Sequence, residues 1–100
     1  MTTIYEWTCE IVSVEETSQY GIGDVVDSTR FDTAKELKEY IMSNADYDSS
    51  IKLVPVVVRL DNGWHSWAYL DGEIPTHFYD SNAEDVAKMP KKILREWVSA

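Results

Sequence analysis

The stretch from Ile51 to Leu70 is the part of the sequence that most restricts the fold. Residues 51–60 are mostly β-branched and apolar, Asp61-Asn62-Gly63 is a tight-turn sequence, and residues 64–70 again suit a strand. Turns of this composition between two such runs are a strong signal for a β-hairpin. The stretch therefore predicts a hairpin in an antiparallel sheet. Pro55 donates no ladder hydrogen bond, so it is expected at an edge or a bulge.

Further strands and a helix are predicted on both sides of this hairpin. Residues 5–11 alternate between apolar and polar side chains, which indicates a half-buried strand, and a shift in the apolar phase at residues 12–14 indicates a bulge or twist. Residues 24–27 favour a short second strand, and residues 74–79 a strand after a tight turn. Thr33 and Glu36 have the spacing of a capping box, so a helix is predicted from there to about Asn44.

The last twenty residues are predicted to be helical. Ser81 or Asn82 is expected to cap a short helix that Pro90 interrupts. The apolar face of a final helix, expected to cover the sheet, consists of Ile93, Leu94, Trp97 and Val98. The predicted class is α+β: a small antiparallel sheet with one helix in mid-chain and a C-terminal helix packed on the sheet, in the order ββαβββα. A length of 100 residues with 44% apolar residues predicts one domain over residues 1–100.

Negative charge is concentrated in the first half of the chain. The net charge is −9, of which residues 1–50 contribute −8, from 11 acidic and 3 basic residues. Residues 15–32 alone carry five carboxylates and one base, Arg30. A surface that binds phosphates needs a basic stripe, and the short set Lys88, Lys91, Lys92 and Arg95 is better explained as cations that suit a helix dipole. Direct binding of nucleic acid is therefore not expected.

The sequence has no pattern typical of a catalytic or metal site. His65 and His77 match no metal-ligand spacing and are interpreted as ordinary strand residues. Ser66 follows His65 directly, so the two side chains point to opposite faces of a strand and form no nucleophile–base pair. The G-x-G at Gly21 and Gly23 has no third glycine and lies in an acidic segment that repels anions. We expect no enzyme, no metal and no cofactor.

The single cysteine and the hydropathy indicate where the protein acts. Cys9 excludes an internal disulfide and a thiolate metal cluster, and its neighbours suggest a small buried side chain. No secretion signal opens the chain, and no apolar run is long enough for a membrane span. A location in the cytoplasm is therefore predicted, with no membrane partner.

The acidic residues are the candidate binding site. Carboxylates displayed on a twisted sheet have spacings comparable with those of successive DNA phosphates, so they suit a basic DNA-binding partner. The alternative is that they only keep a small protein soluble. The predicted partner-binding residues are Glu10, Glu15, Glu16, Asp24, Asp27 and Asp32, followed by Asp46 and Asp48.

Two long segments resemble a known class of proteins. A chain of about this length that begins Met1-Thr2-Thr3-Ile4-Tyr5 and contains "FDTAKELKEYIMSNADYDSS" and "RLDNGWHSWAYLDGEIPTHFYDSNAED" resembles the small anti-CRISPR proteins of phages and prophages. It is most similar in character to the DNA-mimicking inhibitors of the type I-F surveillance complex. The resemblance covers the whole length and rests on no signature motif, so it assigns no residue. It implies binding to the basic Cas proteins that meet target DNA, in the cytoplasm of a host bacterium, without catalysis or cofactor.

Two other classes of function stay open. The first is a DNA mimic that acts on a restriction or DNA-repair enzyme. The second is an acidic immunity protein against a basic toxin, or an interaction module whose contact surface is the aromatic set Trp64, Trp67, Tyr69 and Tyr79. Strand alternation predicts Trp67 and Tyr69 on one face of the hairpin and Trp64 on the other, so one aromatic row is expected to be exposed. A charged interface should weaken with salt, whereas an aromatic one should not.

Overall fold

The computed structural model describes residues 3–44, 48–80 and 83–100, with side chains in the last range from residue 87 onwards. Its elements are β1 (Ile4–Ser13), β2 (Val25–Phe31), α1 (Ala34–Asn44), β3 (Ile51–Asp61), β4 (Trp64–Tyr69), β5 (His77–Asp80), β6 (Ala83–Lys88) and α2 (Lys91–Ser99). The strands form one antiparallel sheet in the order β2-β1-β3-β4-β5-β6. Neither helix is long and apolar enough to cross a membrane.

The predicted α+β class is confirmed, with one helix in mid-chain and a C-terminal helix packed on an antiparallel sheet. The predicted succession of elements also holds, with one strand added near the C-terminus. The 61–63 turn forms the β3–β4 hairpin, and Asn62 and Gly63 both have positive φ, 53° and 85°, as a tight hairpin turn requires. The predicted bulge is present as a register shift between Ile11 and Val12 where β1 pairs with β2.

The short helix predicted before Pro90 is wrong, because residues 83–88 form β6. β6 pairs with β5 in antiparallel orientation, with Asp80 opposite Ala83. The proposed helix caps, Ser81 and Asn82, lie outside the described residues. Ladder pairing with β5, including Phe78 with Ala87, outweighs the helix propensity of this Ala- and Glu-containing segment.

Pro55 is not at an edge, because it lies in β3 between β1 and β4. Its carbonyl oxygen accepts a hydrogen bond from Leu70 N at 2.8 Å, so its nitrogen also faces β4. Regular pairing with β4 ends where Val56 lies opposite Tyr69, and it does not include Pro55, the residue that precedes Val56 in the sequence. The missing N–H therefore falls just beyond the ladder, and a central strand tolerates the proline.

The two helices cover one face of the sheet. That face contains the fully buried Cys9, Val57 and Phe78, and α1 and α2 contribute Leu37 and Ile93 to the same core. The ring of Trp97 on α2 stacks on Trp7 of β1, with ring centroids 6.2 Å apart. We call this the covered face.

Neither α1 nor α2 lies on the opposite face of the sheet, which we call the open face. Strand alternation places on it Glu6 and Glu10 of β1, Arg30 of β2, Val54, Val56 and Val58 of β3, Trp67 and Tyr69 of β4, and Tyr79 of β5. Trp67 and Tyr79 are directly paired. Val56 is nevertheless 0% exposed on this face.

Candidate partner-binding surface

The acidic loop between β1 and β2 is held at one end of the sheet by backbone hydrogen bonds. Ser13 N donates to Asp24 O at 2.9 Å, and Gly23 N donates to Ser13 O at 2.8 Å, which closes the base of the loop. Val14 N donates to Ser50 O at 3.0 Å. The loop and the residues that lead into β3 therefore lie side by side.

Local hydrogen bonds also order the loop itself. The Thr17 hydroxyl accepts from the backbone N–H groups of Gln19 and Tyr20, at 3.2 and 2.9 Å. The Asp24 carboxylate accepts from Gly21 N at 2.8 Å. Gly23 has a φ of 89°, a conformation that glycine adopts without strain. The loop thus presents its acids from a defined backbone.

Four of the predicted acids are exposed at this end of the sheet, and we call them the acidic end: Glu15, Glu16, Asp24 and Asp48. Ion pairs between described residues join Arg30 to Glu6, Lys52 to Asp71 and Arg59 to Asp61, so none of them neutralises the acidic end. Hydrogen bonds from the backbone and hydroxyl of Ser50 lower the pKa of Asp48. Asp48 therefore remains ionised in mildly acidic solution.

The other predicted acids lie elsewhere. Asp27 is exposed on the edge strand β2, next to the acidic end, whereas Asp32 follows β2 at the opposite end of the sheet. There Asp32 lines a shallow cavity of about 270 Å³ with Glu6, Arg30 and Phe31. Asp46 lies outside the described residues. The structure thus groups four of the eight predicted acids, with Asp27 beside them.

Glu10 is half-buried on the open face and bonded to Tyr69. Their pairings place Glu10 opposite Val54 and Tyr69 opposite Val56, so the two residues flank β3. The Tyr69 hydroxyl hydrogen-bonds to the Glu10 carboxylate across this strand, whereas Glu10 Oε1 is buried with no hydrogen-bond partner among the described residues. Burial raises the pKa of Glu10, and the hydrogen bond from Tyr69 partly opposes this rise. Burial, and then the charge of Glu10, raises the pKa of Tyr69.

Sequence reasoning did not reveal this bridge. Glu10 was expected among the partner-binding acids. The predicted separation of the aromatic residues is confirmed, because Trp67, Tyr69 and Tyr79 share the open face and Trp64 lies on the other side of β4. The separation of the tryptophans follows from alternation along β4, which is a local pattern. The Glu10–Tyr69 contact depends on the strand order β1-β3-β4, which no local pattern predicts.

Comparison of the chain with known protein families, with characterised protein sequences and with solved structures found no match. Among the residues that the structure describes, no group of three His, Cys, Asp or Glu side chains is placed to hold a metal ion.

Proposed function

We propose that this protein is an inhibitor that binds the DNA-binding surface of a basic protein in place of duplex DNA. The observation that carries the proposal is the acidic end: four exposed carboxylates on ordered backbone, with no ion pair to a described cation. Unpaired like charges repel each other and add nothing to folding. A partner that brings its own cations would relieve this repulsion.

Duplex DNA sets the charge spacing that such an inhibitor has to satisfy. B-DNA carries about one negative charge per 1.7 Å of axis, and proteins gather those phosphates with arginine and lysine side chains. A protein mimic needs carboxylates only at the phosphates that its target contacts. Asp27 on the exposed edge strand β2 extends the negative surface beyond the acidic end.

The proposed target is the type I-F CRISPR surveillance complex, which the resemblance of the sequence to anti-CRISPR proteins suggests. In that role the protein acts in the cytoplasm of an infected bacterium and prevents the basic Cas subunits from binding target DNA. It requires no catalytic residue and no cofactor. A restriction or DNA-repair enzyme has the same kind of basic surface and is the alternative target.

The proposal is tested by measuring the affinity for purified type I-F complex, with and without target duplex, at two salt concentrations. We expect competition with the duplex and a clear loss of affinity between about 50 and 200 mM salt. If the protein does not bind this complex, the same measurement with a restriction or repair enzyme tests the alternative target. If it binds but neither duplex nor salt affects the binding, DNA mimicry is excluded.

A matched pair of variants locates the contact. Glu15→Lys/Glu16→Lys reverses two charges of the acidic end, and Glu39→Lys/Glu96→Lys makes the same change at exposed positions on the two helices. We expect the first variant to bind more than tenfold more weakly, which is about 1.4 kcal/mol. The control should lose less than threefold. Equal losses would mean that only net charge matters.

A second candidate is an interaction module that binds through the open face. Tyr69 and Tyr79 are 44% and 57% exposed there, although both are large aromatic side chains. Aromatic residues of this kind are enriched in protein interfaces. Salt-resistant binding that is lost in Tyr79→Ala would favour this candidate.

A further inference from the structure

Among the described residues, β4 and β5 have one pair that lies directly opposite, and the two strands diverge immediately beyond this pair. Trp67 pairs with Tyr79, and continuation of this register would place Tyr69 opposite His77. Instead the strands diverge, and a cleft of about 260 Å³ lies between Tyr69 on one side and His77 and Tyr79 on the other. The segment from Glu73 to Thr76 closes its outer wall.

The cleft opens at the same end of the sheet as the acidic end. β4 runs antiparallel to β3, so the end of β4 lies beside the start of β3. The ion pair between Lys52 and Asp71, at 2.6 Å, joins these two strand ends. The cleft and the acidic end therefore lie at the same end of the sheet, where one partner can contact both.

The lining of the cleft suits a cation. Glu73 is exposed and forms no ion pair with a described residue. The ring of Tyr79, which is 57% exposed, offers a π face, and such faces attract ammonium and guanidinium groups. Ala68 also lines the cleft, but its side chain is buried in the core and its N–H and C=O groups face β3, in the same register as those of Leu70. Lys88 lies opposite His77 on β6 but does not line the cleft.

The size and charge of the cleft narrow the choice of ligand. A volume of about 260 Å³ is below the range of roughly 300–1,000 Å³ that is usual for small-molecule sites, and it suits a single side chain. An anion would meet Glu73 and a protein with a net charge of −9. Guanidinium is planar and weakly hydrated, so it stacks on tyrosine and still donates to a carboxylate.

We propose that the cleft between β4 and β5 binds an arginine side chain of the protein partner. Glu73 accepts from the guanidinium, and the ring of Tyr79 stacks on its plane. The inference rests on the proposed function in one respect, namely that the partner is a basic protein. The acidic end then supplies attraction over a wide surface, and the cleft fixes one residue of the partner in position.

The cleft can be tested without the partner. The whole protein, labelled with ¹⁵N, is titrated with a blocked peptide that has one arginine between glycines, and then with the lysine and citrulline versions, at about 0.15 M ionic strength to screen distant charges. We expect the arginine peptide to shift the amide signals of residues 69 and 73–79, and to bind at least fivefold more tightly than the citrulline peptide. Equal binding of the two peptides, or shifts confined to residues 14–24, would overturn the proposal.

Two variants and a control make the test specific. Glu73→Gln and Tyr79→Leu change exposed residues, and the amide spectrum verifies their folds. Each should weaken arginine-peptide binding at least threefold, whereas Glu39→Gln, at an exposed position of α1, should leave it unchanged. Unchanged binding in both cleft variants would refute the assignment.

The outcomes separate this inference from the proposed function. Binding of a basic DNA-handling complex without binding of the arginine peptide would leave the proposed function in place and remove the cleft. Peptide binding in the cleft without binding of any such complex would do the reverse.

Discussion

The two faces of the sheet bury neighbouring valines by different means. Val57 and Val56 follow each other in β3, and both are 0% exposed. Val57 belongs to the core that the helices close, together with Leu37 and Ile93. Val56 faces the other way and is flanked there by Thr8 of β1 and Tyr69 of β4. One face is therefore closed by helices, and the other by side chains of the neighbouring strands.

This difference separates stability from binding. The covered face holds the large buried side chains, so we expect it to provide most of the free energy of folding. The acidic end and Tyr79 of the open face are exposed groups that folding does not require. Substitutions there should change binding more than stability, and the two faces should respond differently to matched substitutions.

The largest expected difference between the faces is at two neighbouring residues of β5. Phe78 is 0% exposed on the covered face, whereas Tyr79 points to the open face. Phe78→Ala should lower the free energy of unfolding by about 3–5 kcal/mol, because it removes a ring and leaves a cavity. Tyr79→Ala should cost less than about 1 kcal/mol. Chemical denaturation of both variants checks this, and similar losses would show that the open face is also part of the stabilising core.

The valine pair gives a finer comparison. Val57→Ala should cost about 2–3 kcal/mol, since about 0.8 kcal/mol per methylene is lost and the helices cannot fully close the cavity. Val56→Ala should cost only about 1–1.5 kcal/mol, because the side chains of the bridge can settle into the space. Equal losses in denaturation would mean that the Tyr69–Glu10 bridge is as rigid as the helices.

The sequence predicted the elements whose signals are local. The 61–63 turn, the alternation of β1 and the Thr33–Glu36 spacing each act within a few residues, and each corresponds to an observed element. The β6 strand was missed because its Ala and Glu residues favour a helix, and only pairing with β5 makes them a strand. Pro55 was misplaced because its tolerance in β3 depends on where β4 ends.

The candidate site was predictable only as a collection of residues. Charge counting selected the acids, but hydrogen bonds between separate segments decide which of them meet at one end of the sheet. Asp32 and Asp27 are both acids of the same region in sequence, yet Asp32 lies at the far end of β2. The cleft between β4 and β5 has no local signature, because it arises where the pairing of two strands stops.

A smaller effect is expected at the start of α1, which helps to close the covered face. The Thr33 hydroxyl accepts from Glu36 N at 3.2 Å and contacts the Glu36 carboxylate at 3.3 Å. Thr33→Ala leaves this N–H without its cap, and should cost about 1 kcal/mol. Ser43→Ala, on the exposed side of the same helix, should stay within about 0.5 kcal/mol. A loss in Thr33→Ala no larger than in this control would mean that tertiary packing alone holds α1.

The smallest expected effect is a dependence on pH that belongs to the open face alone. Burial raises the pKa of Glu10 above its ordinary value of 4.5, so the folded chain keeps this proton to a higher pH than the unfolded chain does. As pH rises from about 4.5 through the folded pKa, the unfolded state loses the proton first. The free energy of unfolding therefore falls over this window and stays lower above it.

Glu10→Gln removes this pH-dependent fall in the free energy of unfolding, because the amide does not ionise. The stability of the variant relative to the unsubstituted protein should therefore rise between about pH 4 and pH 7. Tyr69→Phe should have the opposite effect, since it removes the donor that favours ionised Glu10 and so raises the pKa further. Denaturation across this pH range, with the exposed Glu39→Gln as control, measures both trends. If the difference in free energy of unfolding between Glu10→Gln and the unsubstituted protein stays constant over this pH range, Glu10 ionises as freely as an exposed acid. The contact with Tyr69 would then not shield Glu10 from solvent.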